Sequence, residues 1–78
     1  MDKYQIAENI KMIRLLKKLT QEYVADQLGM SQANYSRIEN GQIEFTITNL
    51  NNIAKALSVD VNVLIDLNNA GLLNGQQH

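Results

Sequence analysis

Residues 20 to 41, TQEYVADQLGMSQANYSRIENG, decide the fold of this chain. Ala25 is small enough to let two helix backbones approach, and Gly29 follows the first helix where a positive φ is needed. Tyr35 and Ile38, at i and i+3 on the second helix, predict a buried stripe that packs back on the first. The opposite side of the second helix is left free for another contact. The stretch therefore predicts two crossed helices joined by a tight turn, a helix-turn-helix.

Apolar spacing outside this stretch predicts three further helices. The first runs from about Gln5 to Lys18, and its core stripe follows i, i+4 and i+7: Ile6, Ile10 and Ile13. Thr46 is placed to cap a helix with a second such stripe: Leu50, Ile53, Ala54 and Leu57. Asp60 is placed to cap a short last helix whose buried side is expected to hold Val61, Leu64 and Ile65. The predicted fold class is all-α, a compact five-helix bundle with the helix-turn-helix formed by helices 2 and 3.

The first helix also carries a second apolar flank, which needs a cover. Its members are Met12, Leu15, Leu16 and Leu19. The last helix is the favoured cover, and a dimer contact through Leu15 and Leu16 is the alternative. Residues 1–67 are expected to form one domain. Residues 68–78 hold two glycines and mostly amides, so they predict a flexible tail, or one that contacts a partner through Leu72 and Leu73.

The composition restricts the classes of function. The chain has no cysteine, and its one histidine is the terminal His78, which leaves no disulfide, no cysteine-based metal site and no histidine for catalysis. No glycine-rich phosphate loop or catalytic carboxylate pair is present. We therefore expect no enzyme activity, no catalytic or metal-binding residue, no cofactor and no small-molecule ligand. The absence of a signal peptide and of a run of about 20 apolar residues favours a cytoplasmic protein with no membrane partner.

The net charge of −1 is unusual for a protein that binds nucleic acid, because phosphate neutralisation requires a basic surface. The charges are unevenly distributed along the chain. Up to Thr20, five Lys and Arg residues stand against Asp2 and Glu8, whereas beyond it two basic residues stand against six carboxylates. Any nucleic-acid face is therefore expected to be local.

The second helix of the helix-turn-helix, expected from Gln32 to Asn40, has a polar side. A rotation of about 100° per residue places four residues opposite Tyr35 and Ile38. They are Gln32, Ala33, Ser36 and Arg37. Gln pairs with adenine, Arg with guanine, and a small Ala meets a thymine methyl. For each residue alone a structural role is the favoured explanation: a first-turn polar residue, a helix former, a solvent-facing spacer and a solvated partner of a carboxylate. The four together, on one face opposite the core, favour the reading of DNA bases.

Contacts to the DNA backbone are expected at two helix ends. Thr20 begins the first helix of the pair, where free N–H groups and Gln21 can hold a phosphate. Asn40 and the Gly41 loop offer a second anchor. Four further candidates for phosphate contact are Lys11, Lys17, Lys18 and Ser31. Lys17 and Lys18 are equally well explained as a solvated helix end. If the three lysines and Arg37 each neutralised one phosphate, log K would fall with log salt at a slope of about −3.6 per monomer.

Taken together, these residues resemble the Cro and phage-repressor type of helix-turn-helix domain, the XRE family. Two stretches carry the resemblance: IKMIRLLKKLTQEYVADQLGMSQANYSRIENG at 10–41 and TITNLNNIAKALSVDVNVLI at 46–65. The ending SRIENG, from Ser36 to Gly41, is its most specific element. The resemblance implies a lambda-repressor-like bundle that regulates transcription, with repression favoured. It also implies a homodimer on double-stranded operator DNA, with third helices in the major groove about 34 Å apart.

Alternatives within this resemblance stay open. The same fold also serves antitoxins and restriction-modification controllers that regulate their own operons. A module that binds a protein partner and has lost DNA binding is the rival class, and the net charge is its main support.

The resemblance also assigns individual residues. It implies that Gln21 and Asn40 hold phosphates and that the four residues named above on the third helix, Ala33 among them, face base edges. Arg14 and Glu39 occupy positions that pair in this family as an ion bridge between the first and third helices. Two departures are evident. Lys18 replaces a frequent glycine, which predicts either a left-handed backbone there or a slightly different exit from the first helix, and Phe45 replaces a frequent proline and either packs or is exposed.

Overall fold

The computed structural model describes residues 2–70, and these form five α-helices followed by a short 3₁₀ helix. The helices are α1 Lys3–Leu16, α2 Gln21–Gln27, α3 Gln32–Glu39, α4 Ile47–Leu57, α5 Val61–Ile65 and the 3₁₀ helix η1 Leu67–Ala70. The all-α class and the five-helix order are confirmed. No helix within residues 2–70 is long and apolar enough to cross a membrane. Leu72, Leu73 and His78 lie outside the described residues.

Four of the five helices begin at the cap that the sequence predicts. The caps of α2 to α5 are Thr20, Ser31, Thr46 and Asp60, and each side chain accepts a hydrogen bond from a backbone N–H in its first turn. Such caps satisfy donors that have no partner inside the helix. Gly29 and Gly41 both have positive φ, 69° and 73°, so both glycines end their helices as predicted.

α1 differs from its predicted bounds at both ends. It begins at Lys3 because the Asp2 side chain accepts a hydrogen bond of 2.8 Å from the Tyr4 N–H and caps the helix there. It ends at Leu16 because Lys18 adopts φ 59°, the left-handed backbone that was one of the two alternatives for this position. This turn leads the chain directly into the Thr20 cap of α2.

All five helices contribute to one hydrophobic core. The predicted stripes of α1 and α4 are all buried, as are Val24, Ala25, Tyr35 and Ile38 of the helix-turn-helix. In α5 the prediction was partly wrong: Val63 and Leu64 are buried, whereas Val61 is half-buried and Ile65 is exposed. The reason is a contact that fixes the rotation of this five-residue helix. The buried Asn9 amide donates to the carbonyl oxygens of Leu64 at 2.8 Å and Ile65 at 3.4 Å.

The second apolar flank of α1 is not covered within residues 2–70. Met12, Leu15 and Leu16 are 42, 53 and 57% exposed, and only Leu19 packs against the core. The expectation that the last helix covers this flank was therefore wrong for three of the four residues. α5 packs instead along the side of α1 marked by Asn9. After α5, residues Leu67–Ala70 form the 3₁₀ helix η1.

Candidate nucleic-acid interface

One side of α3 packs into the core, and the other side is exposed. Tyr35 and Ile38 point into the core, with Tyr35 fully buried. Gln32, Ala33 and Arg37 are exposed on the remaining surface, and Ser36 is half-buried. The polar side chains that the sequence groups together thus share one accessible surface, which we call the α3 polar face (Gln32, Ala33, Ser36 and Arg37).

A buried ion pair fixes α3 to α1. Arg14 Nε donates to Glu39 Oε2 at 2.6 Å, and a second nitrogen of the same guanidinium donates to Glu39 Oε1 at 3.1 Å. A third hydrogen bond of 2.8 Å joins Arg14 to the Leu19 carbonyl oxygen. The two side chains are 9 and 1% exposed. This pair is the ion bridge that the resemblance implies, and it sets the position of α3 relative to α1.

The carboxylate of Glu39 has two more donors besides Arg14. The Tyr35 hydroxyl donates to Oε2 at 2.5 Å, and Gln21 Nε2 donates to Oε1 at 3.0 Å. Burial opposes ionisation of Glu39, but the hydrogen bonds from Arg14, Tyr35 and Gln21 outweigh it and hold the pKa of the carboxyl below its usual value. Burial, together with the negative charge of Glu39, raises the pKa of the Tyr35 hydroxyl. Glu39 is therefore a carboxylate with four hydrogen bonds.

Sequence reasoning missed a link from this buried pair to the α3 polar face. Gln21 donates to Glu39, and its amide oxygen accepts a hydrogen bond of 3.4 Å from Gln32 Nε2. Glu39, Gln21 and Gln32 thus form a chain of hydrogen bonds that runs from the core to the surface. No local pattern in the sequence predicts this link, although Gln21 and Gln32 are each the first residue of their helix.

The candidate phosphate contacts fall into two groups. Lys11, Lys18, Thr20 and Asn40 are exposed, and Thr20 lies at the N-terminus of α2 as predicted. Ser31 is exposed too, although its hydroxyl is engaged as the α3 cap. Lys17 is exposed as well, and its Nζ lies 3.4 Å from the Ser58 carbonyl oxygen at the end of α4.

The loop after α3 is fixed by the start of α1. Gly41 is buried, and a Cβ atom added to it would lie 2.6 Å from Cδ1 of the Tyr4 ring. Lys3 Nζ forms an ion pair with Glu44 at 3.0 Å, which raises the pKa of the ammonium through that hydrogen bond. Phe45 packs half-buried against the core, which decides between the two placements expected for it. Asn40 is therefore followed by a fixed loop.

Comparison with known proteins gives a consistent result. A family model described as Helix-turn-helix matches residues 10–64. The chain is 39% identical over 59 residues to a protein named as the uncharacterized HTH-type transcriptional regulator YqaE of Bacillus subtilis (strain 168). That match covers 76% of this chain and 51% of the relative, so the chain spans about half the length of the curated protein it matches.

Two similar solved structures are restriction-modification controller proteins. One is a point mutant of C.Esp1396I, which is 32% identical with a TM-score of 0.74 and matches over 91% of this chain and 95% of that one. The other is C.AhdI from Aeromonas hydrophila, which is 25% identical with a TM-score of 0.74 and matches over 81% of this chain and 91% of that one. Both matches extend beyond the helix-turn-helix to most of the bundle.

Proposed function

The chain belongs to the helix-turn-helix family, and from that membership we propose that it is a transcriptional regulator that binds specific sequences of double-stranded DNA. The observation that carries the proposal is the α3 polar face. α3 is locked to the bundle by Tyr35, Ile38 and the Arg14–Glu39 pair, while its hydrogen-bonding side chains remain accessible. A rigid helix with an exposed polar side suits the major groove, which admits an α-helix and displays a different donor and acceptor pattern for each base pair.

In the proposed mechanism α3 enters the major groove with its N-terminal end foremost. Gln32 pairs with adenine N6 and N7, Arg37 with guanine O6 and N7, and Ala33 meets a thymine methyl. Ser36 is half-buried, so its hydroxyl extends less far toward the DNA than the other side chains of the face do. Phosphate contacts from the exposed Thr20, Asn40, Lys11 and Lys18 then fix the orientation of the helix but carry no sequence information.

We infer that the working unit is a homodimer. One copy offers four exposed basic side chains among the candidates for the DNA, Lys11, Lys17, Lys18 and Arg37. The salt slope for one copy is then about −3.6, which is small for tight binding. Two copies related by a two-fold axis double the charge and the number of bases read, with their α3 helices about 34 Å apart over one turn of DNA.

A narrower assignment is favoured by two of the comparisons. Both solved controllers match most of this chain at 25 and 32% identity, so a controller of a restriction-modification operon is the more specific candidate. Repression is the proposed action, because a small dimer that occupies a promoter blocks polymerase by steric exclusion alone.

The test is selection of bound sequences from a random duplex pool at moderate salt. The full chain is compared with the Gln32→Ala, Arg37→Ala double variant, which keeps the core contacts of α3. We expect the full chain to enrich a two-fold symmetric site with half-sites one helical turn apart, and the variant to enrich none. If the folded protein enriches no sequence, the proposal is wrong and a module that binds a protein partner becomes the better assignment.

The dimer is tested separately by sedimentation. The expected result is a dimer, either free or on a duplex that carries both half-sites. If sedimentation shows one copy bound per duplex, even on the symmetric site, the homodimer is contradicted.

A further inference from the structure

We propose that Asn40 is a site of spontaneous deamidation, that the closed turn at the end of α3 controls its rate, and that the product binds DNA more weakly. Asn40 is followed directly by Gly41, the sequence in which this reaction meets least obstruction. The modification and its control by the turn are independent of the proposed function. The effect on DNA rests on the proposed function, because that function uses Asn40 as a phosphate contact.

The reaction needs only the Asn40 side chain, the next backbone nitrogen and water. The Gly41 nitrogen attacks Cγ of Asn40, and the new N–Cγ bond closes a succinimide ring. The Cγ–Nδ2 bond breaks, and the side-chain nitrogen leaves as ammonia with the proton given up by the Gly41 nitrogen. Water then adds to one of the two ring carbonyls and opens the ring, which gives aspartate or isoaspartate. Glycine favours the attack because it has no Cβ to obstruct its nitrogen.

The backbone at the end of α3 holds Asn40 in a geometry that prevents ring closure. Asn40 has φ −91° and ψ 2°, which directs the Gly41 nitrogen away from the Asn40 side chain. The Gly41 N–H donates to the Ile38 carbonyl oxygen at 3.2 Å, and the Gln42 N–H donates to the Arg37 carbonyl oxygen at 3.0 Å. Ring closure requires rotation about the Cα–C bond of Asn40, and that rotation breaks both hydrogen bonds. The turn must therefore open before Asn40 can react.

The Tyr4 ring stabilises the closed turn from the side of α1. Gly41 is buried, and a Cβ atom added to it would lie 2.6 Å from Tyr4 Cδ1, so Gly41 cannot move toward α1 unless the ring is displaced. The Asn40 side chain is exposed, so water reaches its amide without any further change. The backbone turn and the Tyr4 ring, rather than burial of the amide, are therefore what protects Asn40.

Deamidation places a negative charge at the C-terminal end of α3. Asn40 is the C-cap of this helix, where the helix dipole is already negative. Under the proposed function the same side chain faces a phosphate, so a carboxylate that repels the phosphate replaces an amide that donates to it. A phosphate bound at Asn40 also favours the closed turn. The modification therefore shortens the working life of the free protein more than that of the DNA-bound protein.

The stability of the fold sets the expected rates. If the turn opened only when the whole domain unfolds, the open fraction would be roughly 1 in 150 to 1 in 5,000 for a domain of this size. Local opening of the turn raises that fraction. We therefore expect Asn40 to deamidate about 10- to 5,000-fold more slowly in the folded protein than in the unfolded chain.

The first experiment compares the rates in the folded and unfolded protein. The full chain is incubated with and without urea at one pH and temperature, and mass spectrometry of its peptides separates Asn40 from the second Asn–Gly pair, Asn74–Gly75. A synthetic peptide of residues 36–45 in the same solutions corrects for any direct effect of urea. A folded rate within about three-fold of the unfolded rate shows that the turn does not protect Asn40. An absence of deamidation at Asn40 in urea overturns the site itself.

The second experiment tests the Tyr4 ring. Tyr4→Ala should raise the rate in the folded protein about three-fold or more, with no change in urea. Tyr23→Ala is the matched control, because Tyr23 is an exposed tyrosine on α2, and it should change the rate by less than about two-fold. Urea unfolding curves of both variants measure how much of any rise comes from lower global stability. An unchanged rate in Tyr4→Ala contradicts the role of the ring.

The third experiment measures the consequence for DNA on the selected site. Asn40→Asp carries the charge of the product and should bind about 10-fold or more weakly than the parent protein. Asn52→Asp is the control, because it makes the same change at an exposed position of α4, and it should bind within about two-fold of the parent. In the parent, a duplex at about 100 times its dissociation constant should slow deamidation about 10-fold or more.

Two results overturn the effect on DNA: equal binding by Asn40→Asp and the parent protein, or a deamidation rate that saturating duplex leaves unchanged. Failure of the proposed function appears differently, as no enriched sequence in the selection. In that case the rates in the free protein still test whether the closed turn controls the modification of Asn40.

Discussion

Removal of the Arg14 guanidinium should unfold most of the protein. In Arg14→Met the Glu39 carboxylate stays buried, with only Tyr35 and Gln21 as hydrogen-bond donors. The Leu19 carbonyl oxygen also loses the hydrogen bond that it accepts from Arg14. Removing one partner of a buried ion pair costs about 3 to 5 kcal/mol, because the remaining charge is desolvated without compensation.

The magnitude matters because the domain is small. A core of this size supplies roughly 3 to 5 kcal/mol of net stability, so the loss is comparable with the whole free energy of unfolding. We expect urea unfolding, followed by circular dichroism, to give a variant that is mostly unfolded without denaturant. The double variant Arg14→Met, Glu39→Leu should be more stable than the single variant, because no unpaired charge remains in the core.

Lys11→Met is the control for this experiment. It removes the same charge from the exposed side of the same helix and should change the free energy of unfolding by less than about 0.5 kcal/mol. If Arg14→Met unfolds within about 1 kcal/mol of the parent protein, Glu39 is accessible to water or protonated, and the description of a buried carboxylate is wrong.

Three further predictions concern backbone and charge. Burial opposes ionisation of Glu39, but its hydrogen bonds lower its pKa, so its stabilising contribution is complete at neutral pH. That contribution is lost as the pH falls from about 4.3 through the folded-state pKa. Urea titrations in which the free energy of unfolding increases as the pH falls through this range would contradict the prediction. Gly41→Ala should destabilise more than Gly29→Ala in thermal unfolding, because both have positive φ but only Gly41 lies against the Tyr4 ring; equal losses would show that the ring moves aside. Lys18→Gly should raise the free energy of unfolding by roughly 1 kcal/mol by relieving φ 59°, and any decrease would contradict a left-handed backbone there.

Local signals in the sequence predicted the helix boundaries well. A cap such as Thr20 or Ser31 and a terminal glycine such as Gly29 act within one turn of the chain, so residue type and order are sufficient to place them. The left-handed Lys18 was one of two alternatives, and it came from the family pattern rather than from the chemistry of the residue. Without that pattern, a lysine gives no signal that a helix ends.

Features that depend on several elements could not be predicted in the same way. The link through Gln21 requires the relative positions of α1, α2 and α3, which no local pattern contains. The buried face of α5 was assigned wrongly because five residues are too few to define a helical period, and Asn9 of a distant helix decides its rotation. The exposed state of Leu15 and Leu16 likewise depends on where α5 packs.

The central claim, that the α3 polar face reads base edges, is tested most directly through Arg37. The measurement is a set of dissociation constants for the parent protein and for Arg37→Ala. The duplexes are the selected site and its variants, in which each base pair in turn is replaced by the three others. The account predicts that Arg37→Ala loses preference at a single position, by about 1 to 3 kcal/mol, while preferences at the other positions are retained. Uniform weakening on all duplexes, with every base preference intact, would show that Arg37 contacts only the backbone and would contradict the claim.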